Sequence, residues 1–383
     1  MKKLDMKWLV VVTFVIAGAL CGAAIGSYMV TMDETLGEDI SVWNELMKFL
    51  ELILLMYIVY MVNVIIHEGG HLIFGLMTGY KFNSFRIFSV ILIKQNGKLK
   101  IKNISLAGTG GQCLMSPPEL IDGKMPYVLY NLGGVILNVI TSLIFIVIYL
   151  ISLWKLLSLA MIMSAIMGFA SAVVNGIPMK VGDINNDGYN AVQLGSDKDA
   201  LKALWVQLKM NGALAEGIGI REMPEEWFES IDGKNDNLMI TSIKVFYCNR
   251  LMAMHKFEQT KEEIKKVLES NMVLVGVYRY LLICDYIYCE LIDGNIIEAE
   301  EFYTKDLQKF MKSMKKFPAI LRTKYTYELL HNKDSKQAEK LRTLFNIMSE
   351  KYPYTSDIEA ENELMDIAKS IYDGVMDNKI NKK

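Results

Sequence analysis

Apolar positions follow two regimes along the chain. Up to about residue 189 they run on with few interruptions. Beyond it they recur at helical spacing among charges. Four early runs reach the roughly 20 residues that cross a bilayer. They cover about Trp8 to Val30, Met47 to Leu76, 127–153 and 156–178, with Trp154 and Lys155 in a tight interfacial turn between the last two. The first run follows Lys2, Lys3 and Lys7, as a signal peptide would. It is too long for a usual signal core, and Leu20 before Cys21 makes a poor lipoprotein cleavage site, so a true span is expected.

Between the second and third runs the period changes. Phe85 to Lys94 is rich in β-branched and aromatic residues, and Lys98 to Leu106 alternates. Asn96-Gly97 lies between them, a strong hairpin signal. After residue 190 the pattern predicts amphipathic helices. His255-Lys256-Phe257, Asp293-Gly294-Asn295 and Asn332-Lys333-Asp334 each precede a helical stretch, at spacings of 38 and 39 residues. Ala299 and Ala338 hold equivalent small positions. That period suits helix-pair repeats and resembles a degenerate tetratricopeptide array.

Composition sharpens the division. Residues 1–189 carry 13 Lys+Arg and 12 Asp+Glu, whereas residues 190–383 carry 28 and 31. Overall 52% of residues are hydrophobic and the mean hydropathy is +0.24, which argues against a wholly soluble protein. A net charge of -2 does not point to nucleic acid. Five cysteines without paired spacing exclude a disulfide framework.

Basic residues set the expected orientation. The segment from Thr31 to Leu46 holds five acids and no base, whereas that from Gly79 to Met125 holds Lys81, Arg86, Lys94, Lys98, Lys100, Lys102 and Lys124. The positive-inside rule places both termini and the hairpin in the cytosol.

The second run also carries costly groups, among them His67, Glu68 and His71. His67-Glu68-Gly69-Gly70-His71 reads H-E-x-x-H. On a helix the two imidazoles face the same way and offer two corners of a zinc tetrahedron, with Glu68 placed to take a proton from water. A third ligand is expected at the cytosolic end of another span, where Asp183 and Asp187 are both available. Asn185-Asn186-Asp187-Gly188 has the look of a calcium loop, but no glutamate stands at the position of the last EF-hand ligand.

This H-E-x-x-H in an apolar helix, followed by Asn175-Gly176-Ile177-Pro178 and an Asp-Gly, resembles the site-2 proteases (peptidase family M50), intramembrane zinc metalloproteases, in a bacterial branch. The likeness covers roughly residues 45–190. It implies His67 and His71 as zinc ligands, Glu68 as catalytic base and the Asp of Asp-Gly as third ligand. Usual spacing favours Asp183, but Gly188 follows Asp187, and Asp187 is preferred. Gly133 to Asn138 resembles the family's Gly-x-x-x-Asn element. Asn138 is expected to hydrogen-bond substrate backbone or a catalytic loop, the alternative being a buried Asn on a glycine packing face, and the resemblance places Asn175 and Pro178 with it as substrate-binding residues. The hairpin resembles the family's β-element, whose edge an extended substrate would join.

The fold class expected is mainly α: a polytopic membrane protein with about four transmembrane helices, a small cytosolic β-hairpin insertion and a C-terminal soluble tetratricopeptide-like domain. The domains expected are 1–46, 47–189 and 190–383. The activity expected is a zinc metalloendopeptidase of the cell membrane, binding one Zn2+ per chain. Its expected partners are a membrane-embedded peptide or protein substrate, the bilayer and a protein partner for the tail. The rival is a catalytically silent homologue that escorts a membrane peptide, against which Glu68 counts. His255 and His331, remote from the motif, are expected to be surface or packing residues, and Cys248, Cys284 and Cys289 core residues.

Overall fold

The computed structural model describes residues 7–36, 42–104, 110–181, 184–229 and 236–380. The chain forms two compact units, Met1–Lys81 with Lys124–Asp197, and Phe82–Gly123 with Lys198–Lys383.

The first unit is built on four helices, each long and apolar enough to cross a membrane: α1 (Lys7–Leu36), α2 (Val42–Met77), α3 (Val128–Ile151) and α4 (Lys155–Gly176). At 1.5 Å per residue α2 is about 54 Å long, well beyond the roughly 30 Å hydrocarbon core. Its excess lies at the N-terminal end, where Lys48 pairs with Glu45 at 3.2 Å. Burial is inverted relative to a soluble bundle. Val15, Ile53 and Leu143 are exposed, while Asn63, Asn138, Ser142 and Ser164 are buried. Small and polar side chains inside are what helices in lipid use to approach and to satisfy one another. Lys155 starts α4 and donates to the Thr31 carbonyl of α1 at 2.9 Å. After α4 come a minimal hairpin of β5 (Lys180–Val181) and β6 (Ile184–Asn185), then α5 (Asp187–Gln193).

The second unit joins a sheet to the helical tail. Its strands β1 (Lys81–Ile87), β2 (Val90–Gln95), β3 (Lys98–Asn103) and β4 (Gly111–Ser116) lie in the order β3-β2-β1-β4. The β2–β3 hairpin turns at Asn96 and Gly97, both at positive φ (50° and 73°), as a two-residue hairpin turn requires. The run from Phe85 to Lys94, expected to be one strand, is two. The chain reverses at Phe88, which takes φ 51°, and the fully buried Arg86 guanidinium donates to the Phe88 carbonyl. Local propensity favours an extended run there, and the buried cation overrides it. On the inner face Ile91 and Ile93 pack with Ala215 and Tyr352, and Gln95 donates to the Pro353 carbonyl. The sheet, grouped with the membrane core in the sequence reading, thus packs with tail helices.

The tail helices are α6 (Lys198–Ala215), α7 (Leu238–Ala253), α8 (Phe257–Glu269), α9 (Gly276–Ile292), α10 (Ile296–Phe302), α11 (Lys305–Ser313), α12 (Pro318–Thr326), α13 (Ser335–Ser349) and α14 (Thr355–Ile380). Three of the helix pairs turn through a left-handed residue: His255, Gly294 and Lys333, at φ 56°, 82° and 57°. These residues stand 39 apart (294 − 255 and 333 − 294), longer than the roughly 34 of a tetratricopeptide repeat. The N–H of Lys256 and that of Asn295 each reach back five residues, to the carbonyls of Leu251 and Glu290. The third turn reaches back six, from Asp334 to Glu328, because the helix widens over Tyr327–His331. Cys248, Cys284 and Cys289 are free and buried, and burial pushes the Cys248 and Cys284 thiols up to about 12. They are core residues.

Candidate metal centre

The H-E-x-x-H segment lies in the C-terminal part of α2, where no backbone break interrupts the helix. His67 and His71 are one turn apart and point the same way. The two residues between Glu68 and His71 are both glycine, and Gly70 is needed sterically. A Cβ there would stand 2.2 Å from the Gly133 carbonyl oxygen of α3, so α2 and α3 cross backbone against backbone. Gly134 is equally constrained, since a Cβ on it would stand 2.6 Å from the His67 ring.

Asp187 completes the group. Its Oδ2 lies 3.1 Å from His67 Nε2 and 3.5 Å from His71 Nε2, and the two Nε2 atoms are 3.3 Å apart. Zinc bonds of 2.0–2.1 Å imply tetrahedron edges of about 3.3–3.4 Å. The three ligand atoms therefore already stand at the spacing of three corners of a zinc tetrahedron. Among the described residues this is the only group of histidine, cysteine and carboxylate side chains so converged. Burial opposes ionisation of Asp187, yet the hydrogen bonds and charge of the two histidines hold its carboxyl below the usual carboxylate range.

The supporting contacts fit the same assignment. His71 Nδ1 lies 2.7 Å from the Tyr130 carbonyl oxygen, so its N–H donates there and Nε2 is left to bind metal. His67 Nδ1 lies 3.1 Å from Asn138 Nδ2, whose amide also reaches Ser171 Oγ at 2.9 Å, while Asn138 Oδ1 is buried without a partner. An amide flip, which exchanges two atoms of nearly equal size, resolves this. Oδ1 then accepts from the N–H of a His67 that binds metal through Nε2. The orphaned oxygen is thus what a metal-bound His67 needs.

Asn138 was expected to meet substrate. It is fully buried, and its amide lies against the His67 ring rather than at an exposed surface. Asn175 is half-buried and donates to the Ser171 carbonyl at 3.0 Å, and Pro178 is exposed after the end of α4. Glu68 is half-buried beside the two histidines on α2. Asp183 lies outside the described residues.

The long interval between Pro178 and Asp187 has a structural explanation. Lys180 pairs with Asn185 and Val181 with Ile184, so β5 and β6 run antiparallel. Asn186 then returns to Met179, its N–H donating to the Met179 carbonyl at 3.1 Å. Its side chain accepts from Met179 N and Tyr189 N, and donates to the carbonyls of Val174 and Ile177. That one amide caps α5 and ties it to the end of α4. Gly188 permits the close approach, since a Cβ there would stand 2.1 Å from the Gly176 carbonyl oxygen. In the sequence Asn186 stood out only as part of a calcium-loop pattern, although an Asn immediately before a short helix is a capping signal.

The remaining histidines are elsewhere. His255 is 3.3 Å from Glu363 and stacks on Phe257, and His331 pairs with Glu300 and stacks on Tyr327.

Comparison with known proteins agrees with this geometry. No curated protein and no solved structure matches. The model of a family described as peptidase family M50 matches residues 55–351, more than three quarters of the chain. That span takes in His67, Glu68, His71 and Asp187 together. The chain belongs to peptidase family M50, the site-2 protease family.

Proposed function

We infer that the protein is an intramembrane zinc endopeptidase that hydrolyses peptide bonds of a membrane-embedded or membrane-associated substrate. The observation that carries this is the convergence of His67, His71 and Asp187 at tetrahedral spacing with Glu68 beside them on a membrane-length helix. A zinc ion held by the three residues supplies Lewis-acid activation of water and of the scissile carbonyl. Three protein ligands leave the fourth position that a catalytic site requires.

The chain's own groups then divide the work. Glu68 takes the proton of the attacking water and passes it to the leaving nitrogen. The Tyr130 carbonyl and Asn138 fix the two imidazoles through their Nδ1 atoms. Asn186 holds the α5 end that presents Asp187. We place both termini and the sheet in the cytosol, following the lysine-rich segment between α2 and α3, and read the helix pairs of the tail as a tetratricopeptide-like surface for a protein partner.

The test is metal content and cleavage in detergent-purified full-length protein. Wild type should carry about one zinc per chain, as a single three-ligand site implies. His67→Ala and Asp187→Asn should lose it, whereas Asp183→Asn keeps it. Glu68→Gln should retain zinc and fold while cleavage of a membrane substrate falls by at least about 100-fold. Full cellular function in Glu68→Gln would instead identify a peptide escort, and well-folded wild type without zinc would overturn the metal centre.

A further inference from the structure

The tail encloses a hollow of about 230 Å3 that the metal chemistry does not use. It is framed by α6, α7, α9, α12 and α14. An engineered cavity of about 150 Å3 already admits benzene. The hollow therefore suits one long side chain rather than a folded partner.

Its lining is amphipathic in a specific way. Phe246, Leu281, Phe317 and Leu364 form apolar walls. Asp285, Asp357 and Glu361 also line it, and none of its lining residues is Lys, Arg or His. Behind the wall the fully buried Arg322 guanidinium pairs with Asp285 and with Glu361. One cation thus serves two carboxylates. Asp357, in the first turn of α14, has no ion-pair partner among the described residues.

A second observation points to a missing polar partner next to it. Ser356 is 8% exposed, and its Oγ is buried with no hydrogen bond. It lines a smaller adjoining hollow that shares Ile220, Ala253, Asp357 and Ala360 with the larger one and whose one base, Arg221, is paired with Glu363. A buried hydroxyl left unpaired is costly, and a ligand that donates or accepts there would remove the cost.

We propose that this hollow binds the cationic end of an arginine or lysine side chain, with the methylene stem against the aromatic walls and the charge at Asp357. An anion would meet three carboxylates, and a purely apolar group would leave Asp357 without a partner. A guanidinium or ammonium on an alkyl stem answers both halves of the lining. Gln207, Asn211 and Asn249 add amides to the lining, the Gln207 and Asn211 nitrogens donating to Ser242 Oγ and the Gln207 carbonyl. The ligand comes either from a polypeptide or from the free amino acid. The site is independent of the protease reading, because none of its residues belongs to the metal centre.

Calorimetric titration of the full-length protein in detergent tests it. The probes are Nα-acetyl-argininamide, its neutral citrulline analogue, and an acetylated, amidated Gly-Gly-Arg-Gly-Gly peptide. The arginine probe should bind at least about tenfold more tightly than the citrulline analogue, the loss expected for one charge-assisted contact. Asp357→Asn should weaken the arginine probe by a similar factor, and Ala360→Phe should abolish binding by filling the hollow. Circular dichroism checks that both variants are folded, and the steric variant stands alone if the charge variant is not. Peptide binding tighter than the amide assigns the source to a polypeptide. Equal affinity assigns it to the free amino acid. The proposal is overturned if neither cationic probe binds saturably, if the citrulline analogue binds equally well, or if a folded Ala360→Phe binds the arginine probe as wild type does. Zinc content is unaffected in every case, so failure here leaves the metal centre standing.

Discussion

Two buried polar clusters invite comparison, one in each unit. In the tail, Arg322 is fully buried and donates to Glu361 at 2.8 Å, to Asp285, and to the Cys284 carbonyl at 3.2 Å. It also lies over the Tyr288 ring, 4.9 Å from its centroid. That cluster brings its own cation, and its strongest donors and acceptors face each other. In the membrane unit, His67, His71 and Asp187 point their ligand atoms at one shared point and bring no fixed cation of their own. Their outer atoms, His71 Nδ1 and His67 Nδ1, are held by Tyr130 and Asn138. The first arrangement closes on itself and holds helices together. The second is held open from behind and closes on something added. A buried polar group is thus read by where its partners stand.

The contrast breaks most visibly at Arg322. Arg322→Met leaves two carboxylates buried without their cation and should cost about 3–5 kcal/mol of tail stability. Thermal unfolding followed by circular dichroism should show the loss, with zinc per chain unchanged in protein kept below its new midpoint. An unchanged midpoint would mean that the cluster does not hold the tail.

A smaller and opposite signature is expected at Asn138. Asn138→Leu removes the acceptor behind His67 and should weaken zinc affinity by about 10–100-fold, as loss of an outer-shell partner does. Competition with a chelator measures this. Unaltered affinity would assign Asn138 to packing alone.

The smallest effect depends on pH. Burial, and then the charge of Glu361, push the Asp357 carboxyl up to about 7. Its folded value stands above the unfolded one, so the folded chain keeps a proton that the unfolded chain has already released. Stability therefore falls as pH rises from about 4 to about 7. Asp357→Asn removes this slope. It should raise the melting midpoint by a few degrees at pH 8, at roughly 2–4 °C per kcal/mol for a region of this size, and leave it unchanged at pH 4. Equal midpoints at pH 8 would show that the carboxyl is better solvated than its surroundings imply.

Much of this arrangement was legible beforehand. The four spans follow from uninterrupted apolar length, and α3 and α4 begin and end within two residues of the expected limits. Asn96-Gly97 announced its hairpin because two consecutive left-handed residues admit few alternatives. The strand run through Phe88 reads as continuous in sequence because the contacts at its reversal, from Phe88 N–H to the Gly110 carbonyl and from Arg86 to the Gly111 carbonyl, reach a distant segment. Helix pairing in the tail was visible in its turns, and the exact 39-residue register appeared only in the backbone at His255, Gly294 and Lys333.

By itself the sequence determined the membrane half, the helical half and the H-E-x-x-H pair, because each rests on periodicity or on spacing within one helix. The Asp-Gly pair already favoured Asp187 over Asp183, but only the tertiary structure set its carboxylate 3.1 and 3.5 Å from the two imidazoles, since 120 residues separate it from His67. It alone showed Asn138 fully buried against the His67 ring, because burial belongs to packed helices and not to a motif.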